Sequence, residues 1–408
     1  MALSSGRLGV GVPGTLRNMQ LIRDELRRVA IPVLALVTAF LIGAVVIVLT
    51  DFDHFRKIGT DPAAALGGAF GGVIEGYRAM FAGAIGDPTR VATAIRTGNP
   101  ADIAAAIRPL SETLISATPF IFVGLGLAVS FRAGLINLGA DGQFLVGTFG
   151  AAITATLVSG QLPPALAFVI SVLGGIIGGG AYAFIAGFLK ARTGAHEVIT
   201  TLMLNGIAPN LVFLLVGMIP FAGPPPPFPA VPKIVDLPTI RVDHGFTVAV
   251  LMAPVVSWLL FRTTRGFELR ATGFSSSVAR GAGMRPGRTT MLAMSISGGL
   301  IGMGSAFFGL GPAGGFSGGP PYDLGYVAIA LTLLAGSRPG GVVLAALFYG
   351  ALTTGAKNMT IATGIPLALL VVIIAFAIMF VATPDLIRSI WRLKPPKPVV
   401  EHARGNAP

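Results

Sequence analysis

Apolar runs about twenty residues long recur along the chain, separated by short polar or glycine- and proline-rich stretches. Ten runs fall near 29–50, 112–131, 139–158, 165–189, 198–220, 245–262, 290–311, 323–336, 340–356 and 365–383. A helix of about 20 residues crosses the ~30 Å hydrocarbon core of a bilayer. The runs are continuous blocks of Leu, Val, Ile, Ala and Gly, without the alternation of a barrel strand. In lipid each backbone polar group needs an internal partner, which a helix supplies. The pattern therefore predicts an all-α fold, a polytopic membrane helical bundle of about ten transmembrane helices. The chain divides into a basic N-terminal lead (1–28), a first span (29–50), an external segment (51–111), a core bundle (112–385) and a tail (386–408). Asp51 and Asp53 follow the first run, where a cleaved signal would show small residues, so that run reads as a retained anchor.

Two segments between spans have their own patterns. Within 51–111, Asp61-Pro62 and Asp87-Pro88 have the form of helix starts, with Pro in the first turn. Leu66, Phe70, Ile74, Tyr77 and Phe81 follow at helical spacing. They predict an amphipathic helix lying on the outer membrane surface or against the bundle. The segment 220–243 contains four consecutive prolines, which impose stiff polyproline geometry between helices.

Composition agrees with a membrane protein. The hydrophobic fraction is 53%, the charged fraction 11% and the mean hydropathy +0.80, whereas soluble domains carry about a quarter charged residues. The net charge is +12. With the N-terminus inside and alternating spans, the basic excess falls on the cytoplasmic side. Arg132, Lys190, Arg192 and Arg338 are inside, with the tail residues Arg388, Arg392, Lys394, Lys397 and Arg404. This asymmetry predicts both termini in the cytoplasm and removes any need for a nucleic-acid partner. There is no cysteine, and no two of the four histidines have metal-ligand spacing, so no metal site is expected. No P-loop, nucleophile elbow or HExxH occurs, and no catalytic residue is assigned.

The most basic loop is RGFELRATGFSSSVARGAGMRPGR, residues 265–288, with five arginines against Glu268. Small residues Ala271, Ala279 and Ala282 suit a short packed helix. A cytoplasmic helix between spans is what a transporter needs if another protein drives it.

Polar residues at membrane depth are costly and mark function or packing. One cluster is FRAGLINLGADGQ, 131–143, with Arg132, Asn137, Asp141 and Gln143; it fits a cytoplasmic turn or a break inside the bundle. A second is HEVITTLMLNGIA, 196–208, where Glu197, Thr200, Thr201 and Asn205 fall near one helical face. Glu197 is placed to pair with Arg192 or Arg132 at the rim. The third is the Gly/Pro loop from 311 before an unusually short apolar run, a candidate re-entrant gate. The glycine runs at 174–180 and 298–304 suit close helix packing.

Four stretches, in this order, resemble the permease subunits of bacterial ATP-binding-cassette importers for nucleosides and simple sugars. They are GLINLGADGQ at 134–143, EVITTLMLN at 197–205, GFELRATG at 266–273 and LGYVAIALTLLAGSRPGG at 324–341. The resemblance covers roughly 106–385, and the block from Asn137 to Gln143 places it nearest the nucleoside branch. It implies a permease that is not itself an enzyme, in the bacterial cell membrane. It also implies three partners: a second permease, an external binding lipoprotein, and an ATPase that holds ATP and Mg, leaving no cofactor in this chain. The loop 265–288 becomes the coupling helix, with Gly266, Glu268, Arg270, Gly273, Ala279 and Gly281 at the ATPase contact. Asn137, Asp141, Gln143, Thr201 and Asn205 become the expected substrate path. The sequence departs from the family after Gly273, where Phe274 to Val278 replace an Asn-Pro pattern, and at His196, where asparagine is frequent. The competing function is an ion-coupled secondary transporter of small polar solutes, which requires ionisable groups deep within spans.

Overall fold

The computed structural model describes residues 14–50, 61–218, 244–311 and 323–393. The polyproline segment 220–243, most of the loop before the short apolar run, and the end of the tail lie outside the described residues. Among the described residues all regular structure is helical. In chain order the helices are α1 (Gly14–Thr50), α2 (Pro62–Ala84), α3 (Pro88–Thr97), α4 (Pro100–Arg132), α5 (Ala140–Val158), α6 (Pro164–Thr193), α7 (Glu197–Met218) and α8 (His244–Arg262). There follow α9 (Thr264–Phe274), α10 (Ser276–Gly281), α11 (Pro286–Leu310), α12 (Leu324–Leu334), α13 (Pro339–Thr363), α14 (Leu367–Ala382) and α15 (Pro384–Ile390).

Each of the ten predicted spans coincides with a helix. Seven of these, α1, α4, α6, α7, α8, α11 and α13, are long and apolar enough to cross a membrane, and α14 with α15 forms an eighth candidate bent by 95°. Helix α5 is shorter in apolar length because Asp141 and Gln143 occupy its first turn. Helix α12 has 11 residues, about 16 Å at 1.5 Å per residue, half of a hydrocarbon core.

The described residues form two compact units, those within 1–50 and 372–408, and those within 51–371. In the first, α1 packs with α15, and Trp391 Nε1 donates to Thr38 Oγ1 at 2.9 Å. In the second, α4 is central, with α8, α11, α12 and α13 around it. Two prolines inside it, Pro109 and Pro119, do not end it.

Helices α6 and α11 make the most extensive pairing of the fold. Their glycine runs face one another: a Cβ on Gly175 would stand 2.7 Å from the Gly302 carbonyl oxygen, and Cβ atoms on Gly179 and Gly298 would stand closer still to each other's carbonyl oxygens. Small residues let the two backbones touch, which is how membrane helices gain packing energy without a hydrophobic drive.

Cap chemistry explains the helix starts between residues 61 and 100. Asp61 Oδ1 accepts from Ala64 N at 3.0 Å to open α2, and Asp87 Oδ1 accepts from Thr89 N at 2.8 Å to open α3. Asn99-Pro100 does the same for α4, which starts twelve residues earlier than the apolar run suggests. Helix α2 turns Ala69, Val73, Gly76, Met80 and Gly83 inward, where Asn358 Nδ2 of α13 donates to Ala79 O at 2.6 Å. The bulky stripe Leu66, Phe70, Ile74 and Phe81 is the exposed face. Tyr77 sits between the two faces, and burial pushes its phenol up to about 12.

Candidate functional site

The segment 133–139 between α4 and α5 is exposed at Gly134 and Ile136 and turns into the bundle at Asn137 and Gly139. Asn137 has no exposed surface and Gln143 is 1% exposed. An interrupted helix frees backbone groups that must find partners away from water. Here side chains supply them. The amides of Asn137 and Gln143 pair reciprocally: Asn137 Nδ2 donates to Gln143 Oε1 at 3.0 Å, and Gln143 Nε2 to Asn137 Oδ1 at 2.9 Å. Asn137 Oδ1 also accepts from Gly139 N at 2.9 Å, and Asn137 Nδ2 donates to Ser297 Oγ of α11 at 3.2 Å.

Helix α7 closes the other side of the break. Thr201 Oγ1 accepts from Leu138 N at 3.1 Å, and its own hydroxyl donates to Glu197 O one turn back at 2.7 Å. Asn205 works in both directions: Oδ1 accepts from Gly142 N at 2.8 Å, and Nδ2 donates to Leu138 O at 2.6 Å. A Cβ on Gly142 would stand 3.2 Å from Asn205 Cα, so a side chain there would need α7 to give by a few tenths of an ångström.

Asp141 points to a third element. Its Oδ1 accepts from Gly325 N at 2.7 Å, so the first turn of α5 satisfies the first turn of α12. A carboxylate at a helix N-terminus is also favoured by the helix dipole. A Cβ on Gly325 would meet Asp141 Oδ2 at 2.7 Å, so a side chain there would displace the carboxylate. The five residues predicted for a substrate path thus converge on one break, and each also holds its backbone in place.

At the foot of the break lies the basic loop. It forms two helices, α9 and α10, where one was predicted. Ser275 ends α9 and caps α10, its Oγ accepting from Val278 N at 3.4 Å. Helix α9 is held at both ends by glycine. Gly266 is pressed on the last carbonyls of α8, and a Cβ on Gly273 would lie 2.7 Å from Arg132 O and Gly134 N. Gly134 itself has φ of +70°, and its Cβ would be 2.8 Å from Gly273 Cα. Ala279 is buried, whereas around Gly281 nothing lies within 4 Å of a Cβ. Glu268 forms a surface pair with Arg265 at 3.2 Å.

Two arginines brace this junction. Arg270 Nε donates to Leu260 O at 3.0 Å, and Arg132 donates to Ser337 O at 3.1 Å and Gly336 O at 2.8 Å, in the turn after α12. Both guanidinium groups lie over the Phe261 ring, 5.2 Å and 5.5 Å from its centroid. Arg132 is therefore not the partner of Glu197. Glu197 pairs with Lys190, and His196 Nδ1 is 3.9 Å away. Lys190 lies two residues from the predicted Arg192, which instead stacks on Phe188 at 5.8 Å.

Sequence reasoning did not find Ser297, Gly325 or Phe261. Ser297 carried a signal, as a hydroxyl within an apolar run requires a partner. Phe261 carried none, since one aromatic at a span end is common.

The fold is an all-helical bundle with a helix break braced by polar side chains and a basic helix clamped to its foot. Residues 110–383 match the family of permease components of the branched-chain amino acid transport system, and the chain belongs to that family. Among curated relatives, the guanosine ABC transporter permease protein NupP of Bacillus subtilis (strain 168) is 31% identical, the alignment spanning 90% of this chain and 96% of that one. The nucleoside ABC transporter permease protein NupB of Lactococcus lactis is 29% identical over 89% of this chain and 93% of its own. The glucose ABC transporter permease protein TsgB13 of Haloferax volcanii is 29% identical over 68% and 77%. This chain is therefore a multi-pass membrane permease, one component of a transport system and not itself an enzyme.

Proposed function

We propose that this permease imports nucleosides, or related simple sugars, across a bacterial cell membrane. An external binding lipoprotein delivers the substrate, a second permease subunit completes the channel, and a separate ATPase that binds ATP with Mg drives transport. The guanosine and nucleoside permeases it resembles over most of its length support the substrate class. The basic excess at one set of loop ends supports both termini and α9–α10 on the cytoplasmic side.

The observation that carries the reading is the contact of Gly273 with Gly134. Movement of α9 and α10 by a docked ATPase has no side chain to deform at this point, so it passes directly from one backbone to the other. Gly266, Glu268, Arg270, Gly273, Ala279 and Gly281 form the coupling element. The displaced break then moves Asn137, Asp141, Gln143, Thr201 and Asn205, which border the path. In the present state Asn137 and Gln143 satisfy each other, so they face substrate only when the break shifts. Their amides then suit ribose hydroxyls and base edges.

Reconstitution tests this. Proteoliposomes holding the permease, its candidate second permease and ATPase are given labelled guanosine and external binding protein. Uptake that requires internal ATP supports the reading; uptake driven by an ion gradient without ATP overturns it. A cysteine at position 280, in a chain with no native cysteine, reports orientation. Labelling from outside intact cells would reverse the topology.

A further inference from the structure

A second feature of the basic loop borders the coupling element at Arg280. Between the end of α6 and the start of α11 lies an open cleft of about 410 Å³. Its rim is four arginines, Arg192, Arg280, Arg285 and Arg288, and no carboxylate lines it. Among the described residues none of the four forms an ion pair, although the neighbouring Arg265 does. The floor is small, with Gly287 against the Ala191 Cβ at a distance that leaves ordinary contact. Four like charges around one hollow repel each other, and Arg285 and Arg288 sit in addition at the positive end of α11, whose first turn has no acidic residue and no side-chain cap. All of this favours an anion.

The wall next to the cleft is apolar. Phe184, Ile185 and Phe188 of α6 are each 41% exposed. The Phe184 and Phe188 rings lie 5.9 Å apart, and the Arg192 guanidinium sits over Phe188. A ladder of two aromatics ending in a cation, at the end of a membrane-length helix, has the form of a side chain reaching from acyl chains to headgroups.

We propose that this cleft binds the phosphate headgroup of an anionic phospholipid, with an acyl chain along Phe184 and Phe188. The assignment rests only on α6 and α11 crossing the bilayer, and stands whichever solute is carried. Basic pockets between membrane helices at the headgroup level suit such lipids. An acidic protein surface would not need the aromatic ladder.

Detergent-purified full-length permease is titrated with phosphatidylglycerol and with phosphatidylcholine, read by native mass spectrometry, and with inorganic phosphate, read by thermal shift. Phosphatidylglycerol should bind at least about tenfold more tightly than phosphatidylcholine, and millimolar phosphate should shift nothing. At about fivefold per arginine, the variant R280Q/R285Q/R288Q should weaken phosphatidylglycerol on the order of a hundredfold and leave phosphatidylcholine unchanged. Phe188→Ala should weaken it severalfold. The equally discharged R78Q/R90Q/R96Q, on α2 and α3, should bind as wild type. If the triple variant does not purify folded, Arg192→Gln alone carries the test, with about fivefold weakening expected. Equal binding of the two lipids, or full retention in the arginine variants, overturns the proposal. So does displacement of the lipid by free phosphate, which would mark a simple anion site. Unchanged lipid binding with lost capture of the ATPase would make the cleft a protein contact instead.

Discussion

Gly273 of α9 and Gly134 of the α4–α5 break touch through backbone alone: a Cβ on Gly134 would lie 2.8 Å from Gly273 Cα and carbonyl oxygen. A side chain at either position must push the coupling helix off the break. Overpacking of this kind costs about 1–3 kcal/mol. Gly273→Leu is expected to lower the thermal midpoint in detergent and to reduce uptake at least tenfold. Gly281→Leu, where a Cβ meets open space, should leave the midpoint unchanged while impairing stimulation of the ATPase. Equal midpoints for the two variants would show that the glycine contact carries no load.

The Asn137–Gln143 pair predicts non-additive stability. Asn137→Leu strands the Gln143 amide and Gly139 N, and Gln143→Leu leaves the Asn137 amide with only Gly139 N and Ser297 Oγ. Side-chain hydrogen bonds in membrane bundles average about 0.6 kcal/mol and reach about 1.7. Asn137 serves three partners, so its loss should cost about 2 kcal/mol. The double variant should cost clearly less than the sum of the singles. Denaturant titration of all four proteins measures this, and strict additivity would disprove the pairing.

Asp141 should tolerate asparagine but not alanine. Either Asp or Asn offers an oxygen to Gly325 N, whereas alanine leaves the first turn of α12 uncapped. A lost cap costs about 0.5–2 kcal/mol. Asp141→Ala is expected to loosen α12, seen as faster hydrogen exchange over 325–330, with Asp141→Asn close to wild type. Equal exchange in both variants would remove the capping role.

Acid should fray α3. Hydrogen bonds from the Thr89 hydroxyl and N–H hold the Asp87 carboxyl below the usual carboxylate range. A depressed value in the folded state means that the cap contributes fully above the ordinary carboxylate pKa and is lost as pH falls through the lowered one. Exchange of residues 89–93, corrected for intrinsic rates, should therefore rise only in strong acid. Asp87→Asn should remove that dependence.

What the sequence conveys here depends on the range of the interaction. Asp61-Pro62 and Asp87-Pro88 announced their helices because capping is local, and the spans were legible because lipid demands continuous apolar helix. Asn99-Pro100 carries the same local signal, but the polar stretch before residue 112 masked a helix that continues beyond its apolar part. Ser275 divides the coupling segment by a single hydroxyl, which hydrophobic period does not register. The break at 133–139 was visible as a polar cluster with glycines. Its inner logic was not, because Asn137 meets Gln143 across irregular backbone and Ser297 from a distant helix. Glu197 shows the same limit at the rim: several cations were within reach in sequence, and only packing selects Lys190.

The bare seam between α6 and α11 also constrains how this chain can change. At Gly175, Gly179, Gly298 and Gly302 there is no smaller residue to retreat to, so every missense change adds volume between two backbones already in contact. A loss at one such position has no compensating deletion across the seam, because the opposite residue is already glycine. Most core positions can drift through paired swaps of large for small. These four cannot, and a lineage that alters one has to part the helices rather than repack them.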